Sequence, residues 1–154
     1  MYELLTFLAL LSAAMLAGLM ATLVSVMRVM WQREADTDAA SHLQEFLRYA
    51  ARNRVLSTLS IVPVIAAIAI VFVGAPSRGQ LVYALLGGGL FLVGFFLVTA
   101  VFNLPVYNAI MGWDVAELPA GWRSVLGRLH LVNAVRLAAA LASGTLFFLA
   151  SQVR

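Results

Sequence analysis

Residues 81–102 read LVYALLGGGLFLVGFFLVTAVF, a run without one charged side chain. A helix rises about 1.5 Å per residue, so roughly 20 such residues cross a hydrocarbon core. Three further apolar runs flank this one, at about Leu4–Val29, Val55–Val73 and Val125–Leu149. Gly87, Gly88, Gly89 and Gly94 permit close helix contacts in the third span. Ala14 and Gly18 in the first span, with Ala134, Ala138 and Ala142 in the fourth, predict packing faces of the same small-residue kind. Short connections then predict an all-α fold class: an integral membrane antiparallel four-helix bundle, one domain over residues 1–154.

Composition points the same way. A soluble domain carries about 25% charged residues; this chain of 154 has 11%, against 63% hydrophobic. The absence of cysteine excludes disulfides, thiolate metal sites and cysteine nucleophiles. All ten basic residues are arginine, and the net charge is +3. They flank apolar spans and form no basic run with interleaved aromatics, so they read as topology signals and not as a nucleic-acid surface. Met15, Met20, Met27 and Met30 read as packing residues, not copper ligands. Two well-separated histidines argue against a protein-only metal site, and neither metal nor cofactor is expected. Glu3 stands where a signal peptide would be basic, and no small-residue cleavage site follows, so the first span is expected to be retained.

Between spans one and two lies the polar segment Trp31–Arg54. Ser41 and Gln44 match a capping box, which predicts a helix starting near His42. Leu43, Phe46, Leu47 and Ala50 give it an apolar stripe opposite Glu45, Arg48 and Arg52. No Gly or Pro interrupts residues 41–62, so this helix is expected to run on into the second span as a cytoplasmic extension, with a kink at Pro63. Residues 74–79, GAPSRG, form a compact turn. Arg28, Arg33, Arg48, Arg52 and Arg54 lie on one side with Arg123 and Arg128, against Arg78 and Arg154 on the other. The positive-inside rule therefore puts both termini outside, and a bacterial inner (plasma) membrane is the expected location.

The costly residues gather in Phe102–Arg136. Pro105 is expected to break the third helix near the water and free a carbonyl one turn back. Asn103 and Tyr107, four residues apart, share a face; Asn108 follows one turn after the proline. Both asparagines can orient a ligand or simply finish a helix end. His130, Asn133 and Arg136 stand three residues apart, hence on one stripe, which must point inward. An arginine at this depth costs about 2.5–3.5 kcal/mol on insertion scales. No acidic residue lies deep in any span to pair with it. Arg136 is thus either a structural donor to the third helix or the holder of an anionic ligand. His130 is either a packing residue or a general base, its ordinary pKa lying nearest neutrality. Trp113, Trp122 and Tyr107 suit an interfacial aromatic belt.

The run N-x-P-x-x-N at 103–108, W-R at 122–123 and R-x-H-x-x-N-x-x-R at 128–136 resembles the anthrone-oxygenase-like family of small four-helix membrane proteins. Matching positions are Asn103, Pro105, Asn108, Trp122, Arg128, Asn133 and Arg136. The family pattern often has a histidine or second aromatic near Asn133, a departure here. The resemblance implies oxidation of a lipophilic anthrone-like phenolic by molecular oxygen, with no metal or flavin. On that reading His130 and Arg136 are the catalytic pair, and Asn103, Asn108, Asn133, Tyr107, Trp122 and Arg128 bind substrate. The partners expected are membrane lipid and a lipophilic small molecule, and homo-oligomerisation stays open. The competing class is a non-enzymatic accessory or transporter-like subunit whose polar stripe packs helices or docks a partner.

Overall fold

The computed structural model describes residues 1–153; Arg154, counted in the charge argument, lies outside the described residues. Among them are five continuous helices and no strand. α1 spans Tyr2–Arg33, α2 Asp36–Arg52, α3 Arg54–Val73, α4 Arg78–Met111 and α5 Trp122–Gln152. All but α2 are long and apolar enough to cross a membrane. The spans therefore overrun the expected limits, most of all α4, which continues nine residues past Phe102 to Met111.

That overrun corrects the expectation at Pro105. The proline sits at the start of an α-helical segment, Leu104–Met111, joined without a gap to the helix before it. Two π-helical stretches, Leu92–Leu97 and Thr99–Asn103, precede it. Their wider i→i+5 turns absorb the missing donor and the ring that would otherwise break the helix.

Glycines set the span contacts. A Cβ on Gly88 would come within 2.3 Å of Ala67 on α3, and one on Gly94 within 2.5 Å of Ala139 on α5. Gly87 lies under Phe147 of α5, while Gly89 faces open space. The alanine faces turn out differently. Ala14 and Gly18 are exposed, as are Ala134, Ala138 and Ala142. The buried faces are instead Ala9, Ala13, Leu16 and Ala17 on α1, and Ala140, Ser143, Gly144 and Phe147 on α5. In lipid both sides of a helix are apolar, so small residues alone do not mark the inner one.

The polar helix α2 also departs from expectation. It begins at Asp36, with Asp36 and Asp38 in its first turn where the helix dipole favours negative charge. Ser41 and Gln44 lie inside it, so they do not cap α2. The same S-x-x-Q pattern does form a capping box at Ser77 and Gln80, opening α4. Nor does α2 run on into the second span. The chain breaks at Asn53, whose side chain accepts from the Leu56 N–H at 3.1 Å and starts α3 afresh. Ala39, Ala40, Leu43 and Leu47 seat α2 against the bundle end. Gln44 Nε2 donates to the carbonyls of Ile110 (2.8 Å) and Trp113 (3.0 Å), using up acceptors left at the end of α4. α2 and the 112–121 loop thus lie at the same end.

Candidate functional site

At that end, α4 and α5 carry the buried polar cluster. Asn103 is fully buried, Asn133 is 3% exposed, His130 5% and Arg136 7%. Asn133 is the hub. Its Oδ1 accepts from Asn103 Nδ2 across the helix pair (3.2 Å) and from Arg136 Nη1 one turn on (3.0 Å). Arg136 Nη1 also donates to the Tyr107 hydroxyl at 3.3 Å. The guanidinium lies over the Phe95 ring, Cζ 4.2 Å from its centroid. Phe95 falls in the first π stretch, and the aromatic face supplies negative electrostatic potential that the membrane otherwise lacks. The arginine has no acidic partner here: the ion pairs among the described residues are His42–Glu34 and Arg123–Asp36.

His130 stands apart from the asparagine hub. It stacks on Trp31 of α1, centroids 6.0 Å apart and planes 27° from parallel. Trp31 is 2% exposed and meets Phe46 of α2 edge-on at 5.9 Å. Neither ring nitrogen of His130 has a protein hydrogen-bond partner, and the same is true of Trp31 Nε1, Asn103 Oδ1 and Arg136 Nε. These are the fully buried side-chain polar atoms left unpaired among the described residues: two lie in the Asn133 hub and three in the Trp31–His130 stack. An orphaned buried donor or acceptor costs about 1–3 kcal/mol. The set can hold an anion at Arg136, accept an O–H at Asn103, and give or take a proton at His130.

Three expected site residues lie elsewhere. Asn108 and Arg128 are exposed. Asn108 is five residues past Asn103, about 140° around the helix, and Arg128 is two before His130, on the opposite side. Trp122 is buried but turned toward the polar end. Its Nε1 donates to Asp36 Oδ2 at 3.4 Å, and its ring meets Trp113 edge-on. With Arg123, which lies over the Trp122 ring and pairs with Asp36, it pins the start of α2. Two members of the cluster escaped the sequence reading. Trp31 heads the polar segment in sequence, and Phe95 lies within the uncharged run of the third span. A tryptophan one turn beyond Arg28 could have signalled the first; nothing in sequence marks the second.

The polar cluster is buried, and the half-buried Tyr107 at its edge is the member nearest the surface. A cleft of about 360 Å³ lies nearby, between α1, α2 and α3, and a smaller one of about 120 Å³ surrounds Tyr2, Glu3 and Thr6 at the other end. Neither is lined by His130, Asn133 or Arg136.

A family model described as anthrone oxygenase matches residues 46–146, from the apolar stripe of α2 to the last third of α5. That range holds the whole of α3 and α4, with Asn103, His130, Asn133 and Arg136. No curated protein matches the chain, and no solved structure does.

Proposed function

The chain belongs to the anthrone oxygenase family, and we propose that it oxidises a lipophilic anthrone-like phenolic with molecular oxygen inside the membrane. The observation that carries this reading is a set of five buried polar atoms without a protein partner, two in the hub of the unneutralised Arg136 and three in the Trp31–His130 stack beside it. A polar stripe used only for packing ordinarily has its buried atoms paired, with protein or with ordered water.

The chemistry follows from the donors present. An anthrone carries an acidic methylene conjugated through its rings to a carbonyl. His130, with both ring nitrogens free, takes a methylene proton as general base. The charge left behind moves to the carbonyl oxygen as an enolate, which the Arg136 guanidinium stabilises where it develops. Asn133 holds Arg136 in place, and the free Asn103 Oδ1 accepts a phenolic O–H. Oxygen then bonds to the former methylene carbon, and the proton held by His130 completes a hydroperoxide. Loss of water breaks the O–O bond and the remaining C–H bond, leaving a second carbonyl. Anthrone and O₂ give anthraquinone and water, with no outside reductant. Six residues separate His130 from Arg136, about 9 Å along the helix axis, which suits a fused-ring substrate lying between them.

The test is direct. Protein purified in detergent or nanodiscs is given anthrone under air and under argon, and anthraquinone is quantified. Formation that needs both oxygen and protein, and that falls at least tenfold in His130→Gln, supports the reading; a rate equal to the protein-free control overturns it. We also infer an antiparallel bundle with both termini outside and the α2 end cytoplasmic, from the arginine distribution and the pairing of Tyr2 with Ala150 (2.8 Å). A periplasm-active reporter fused at Ala116 should be silent and one fused after Arg154 active. The reverse pattern moves the cluster to the outer face.

A further inference from the structure

We infer that the cleft between α1, α2 and α3 is a staging site where a flat polycyclic aromatic leaves the bilayer before reaching His130, with the rings of Phe46 and Trp31 as the partition between the two. The inference rests on the oxidation reading above for its purpose, although not for its geometry. The cleft is an open groove of about 360 Å³, within the range of small-molecule pockets, roughly 300–1,000 Å³. Leu16 and Leu19 of α1, Leu59 of α3 and Phe46 of α2 give it apolar walls, and no charged side chain lines it. Tyr49 and Asn53 supply its polar groups, at the break between α2 and α3. Asn53 Oδ1 is taken by the Leu56 N–H, which leaves its amide nitrogen to meet a ligand oxygen. The ligand described by these walls is a fused-ring hydrocarbon body with an oxygen at one edge.

Continuity with the buried cluster argues for this occupant. Phe46 lines the cleft and also meets the Trp31 ring edge-on at 5.9 Å. Trp31 in turn stacks on His130 at 6.0 Å. Cleft, Phe46, Trp31 and His130 thus form an unbroken row of rings from the α1–α2–α3 groove to the unpaired histidine. An aromatic guest can replace each ring contact with another of the same kind. Gln44 and Asp36 fasten α2 at its other contacts, so the half-buried Phe46 ring stands on an anchored helix.

Anthracene is the probe, because it has the ring body but no acidic proton and no oxygen for Arg136. Its binding to protein in phosphatidylcholine nanodiscs is read by energy transfer from tryptophan. Ala50→Phe fills the cleft from α2 and Leu59→Phe fills it from α3; each is first checked for a ligand-free melting temperature near wild type. Affinity for anthracene should fall at least fivefold in whichever of the two folds, and stay within twofold in Arg136→Met. Anthrone turnover in the same cleft variant should show a raised KM with kcat unchanged, the mark of lost binding before the chemical step. Anthracene binding with no anthrone turnover by any form leaves the staging site standing and removes the oxidation reading. Equal anthracene affinity in wild type and the filled variant overturns the site. So does a filled variant that releases copurified phospholipid while binding anthracene normally, since the cleft then belongs to a lipid tail.

Discussion

At one end of the bundle Tyr2, Thr6 and Ser143 are buried and each donates a hydrogen bond to a backbone carbonyl. At the other, Trp31, Asn103, His130 and Arg136 are about as deeply buried and leave five polar atoms without a protein partner. The first arrangement is how lipid-embedded helices use polar groups as glue. Tyr2 ties α1 to α5, and Ser143 ties α5 to the Gly87 carbonyl of α4 at 2.8 Å. The second also crosslinks, through Asn103 and Asn133, but it keeps donors and acceptors in hand. A bilayer penalises both kinds of residue alike, so pairing, and not polarity, separates a stitch from a site.

The largest effect is expected where backbones touch. Gly88→Val would put a branched side chain where even a Cβ meets Ala67 at 2.3 Å. Overpacking costs about 1–3 kcal/mol where neighbours can shift; Ala67 is itself buried and short, so the variant should lose most of its folded yield in size-exclusion chromatography. Gly89→Ala, one residue away and facing open space, should be indistinguishable from wild type. Equal yields for the two would mean that α3 and α4 do not pack on this face.

The next pair of substitutions tests the comparison itself. Ser143→Ala removes a stitch and should lower stability by about 0.6 kcal/mol, the average for such bonds in membrane helices, with turnover unchanged. Arg136→Met removes a charge whose insertion costs about 2.5–3.5 kcal/mol, together with its bonds to Asn133 and Tyr107. Asn133 Oδ1 keeps its bond from Asn103, so no fully buried acceptor is stranded. Ligand-free melting should therefore hold within a few degrees, while anthrone turnover falls tenfold or more. Arg136→Lys should recover only part of it, since an ammonium lacks the planar fork. A large drop in melting with turnover intact would make Arg136 another stitch.

How much of this was legible depended on whether water was there to provide contrast. The four apolar runs, the glycine contacts at 87, 88 and 94, and the shared face of Asn103 and Tyr107 could be read, because length, side-chain volume and helical period survive in lipid. The inner face of α1 and α5 could not, since Ala14 and Ala13 are equally apolar and only one is buried. The π stretches before Pro105 have no sequence cue, and they carry Phe95 under Arg136 and Asn103 onto Asn133. Without them the proline reads as a stop. Two signals were present and outweighed. The acidic Asp36–Asp38 turn marks the true start of α2, and Asn53 ahead of an apolar run marks the start of α3.

The smallest effect concerns how firmly α2 covers the open end. His42 Nδ1 meets Glu34 Oε2 at 3.1 Å, bridging the end of α1 and the second turn of α2. The hydrogen bond to Glu34 raises the His42 pKa above its ordinary value, and the charges of Glu34, Asp38 and Glu45 add to the effect. A histidine with a raised folded pKa contributes stability that is complete below the unfolded value, near 6.5, and fades as pH rises through the folded value. Raising the pH from 6 to 8 should therefore loosen the first turns of α2. Hydrogen exchange across residues 34–42, corrected for its intrinsic pH dependence, should quicken by less than threefold. The change stays small because the pair is open to water and salt. His42→Gln should exchange at one corrected rate at both pH values, equal to or faster than wild type at pH 8. Should wild type show no pH dependence there, the Trp122–Asp36–Arg123 and Gln44 contacts fasten α2 without help from His42, and the cover over Trp31 and His130 is independent of pH.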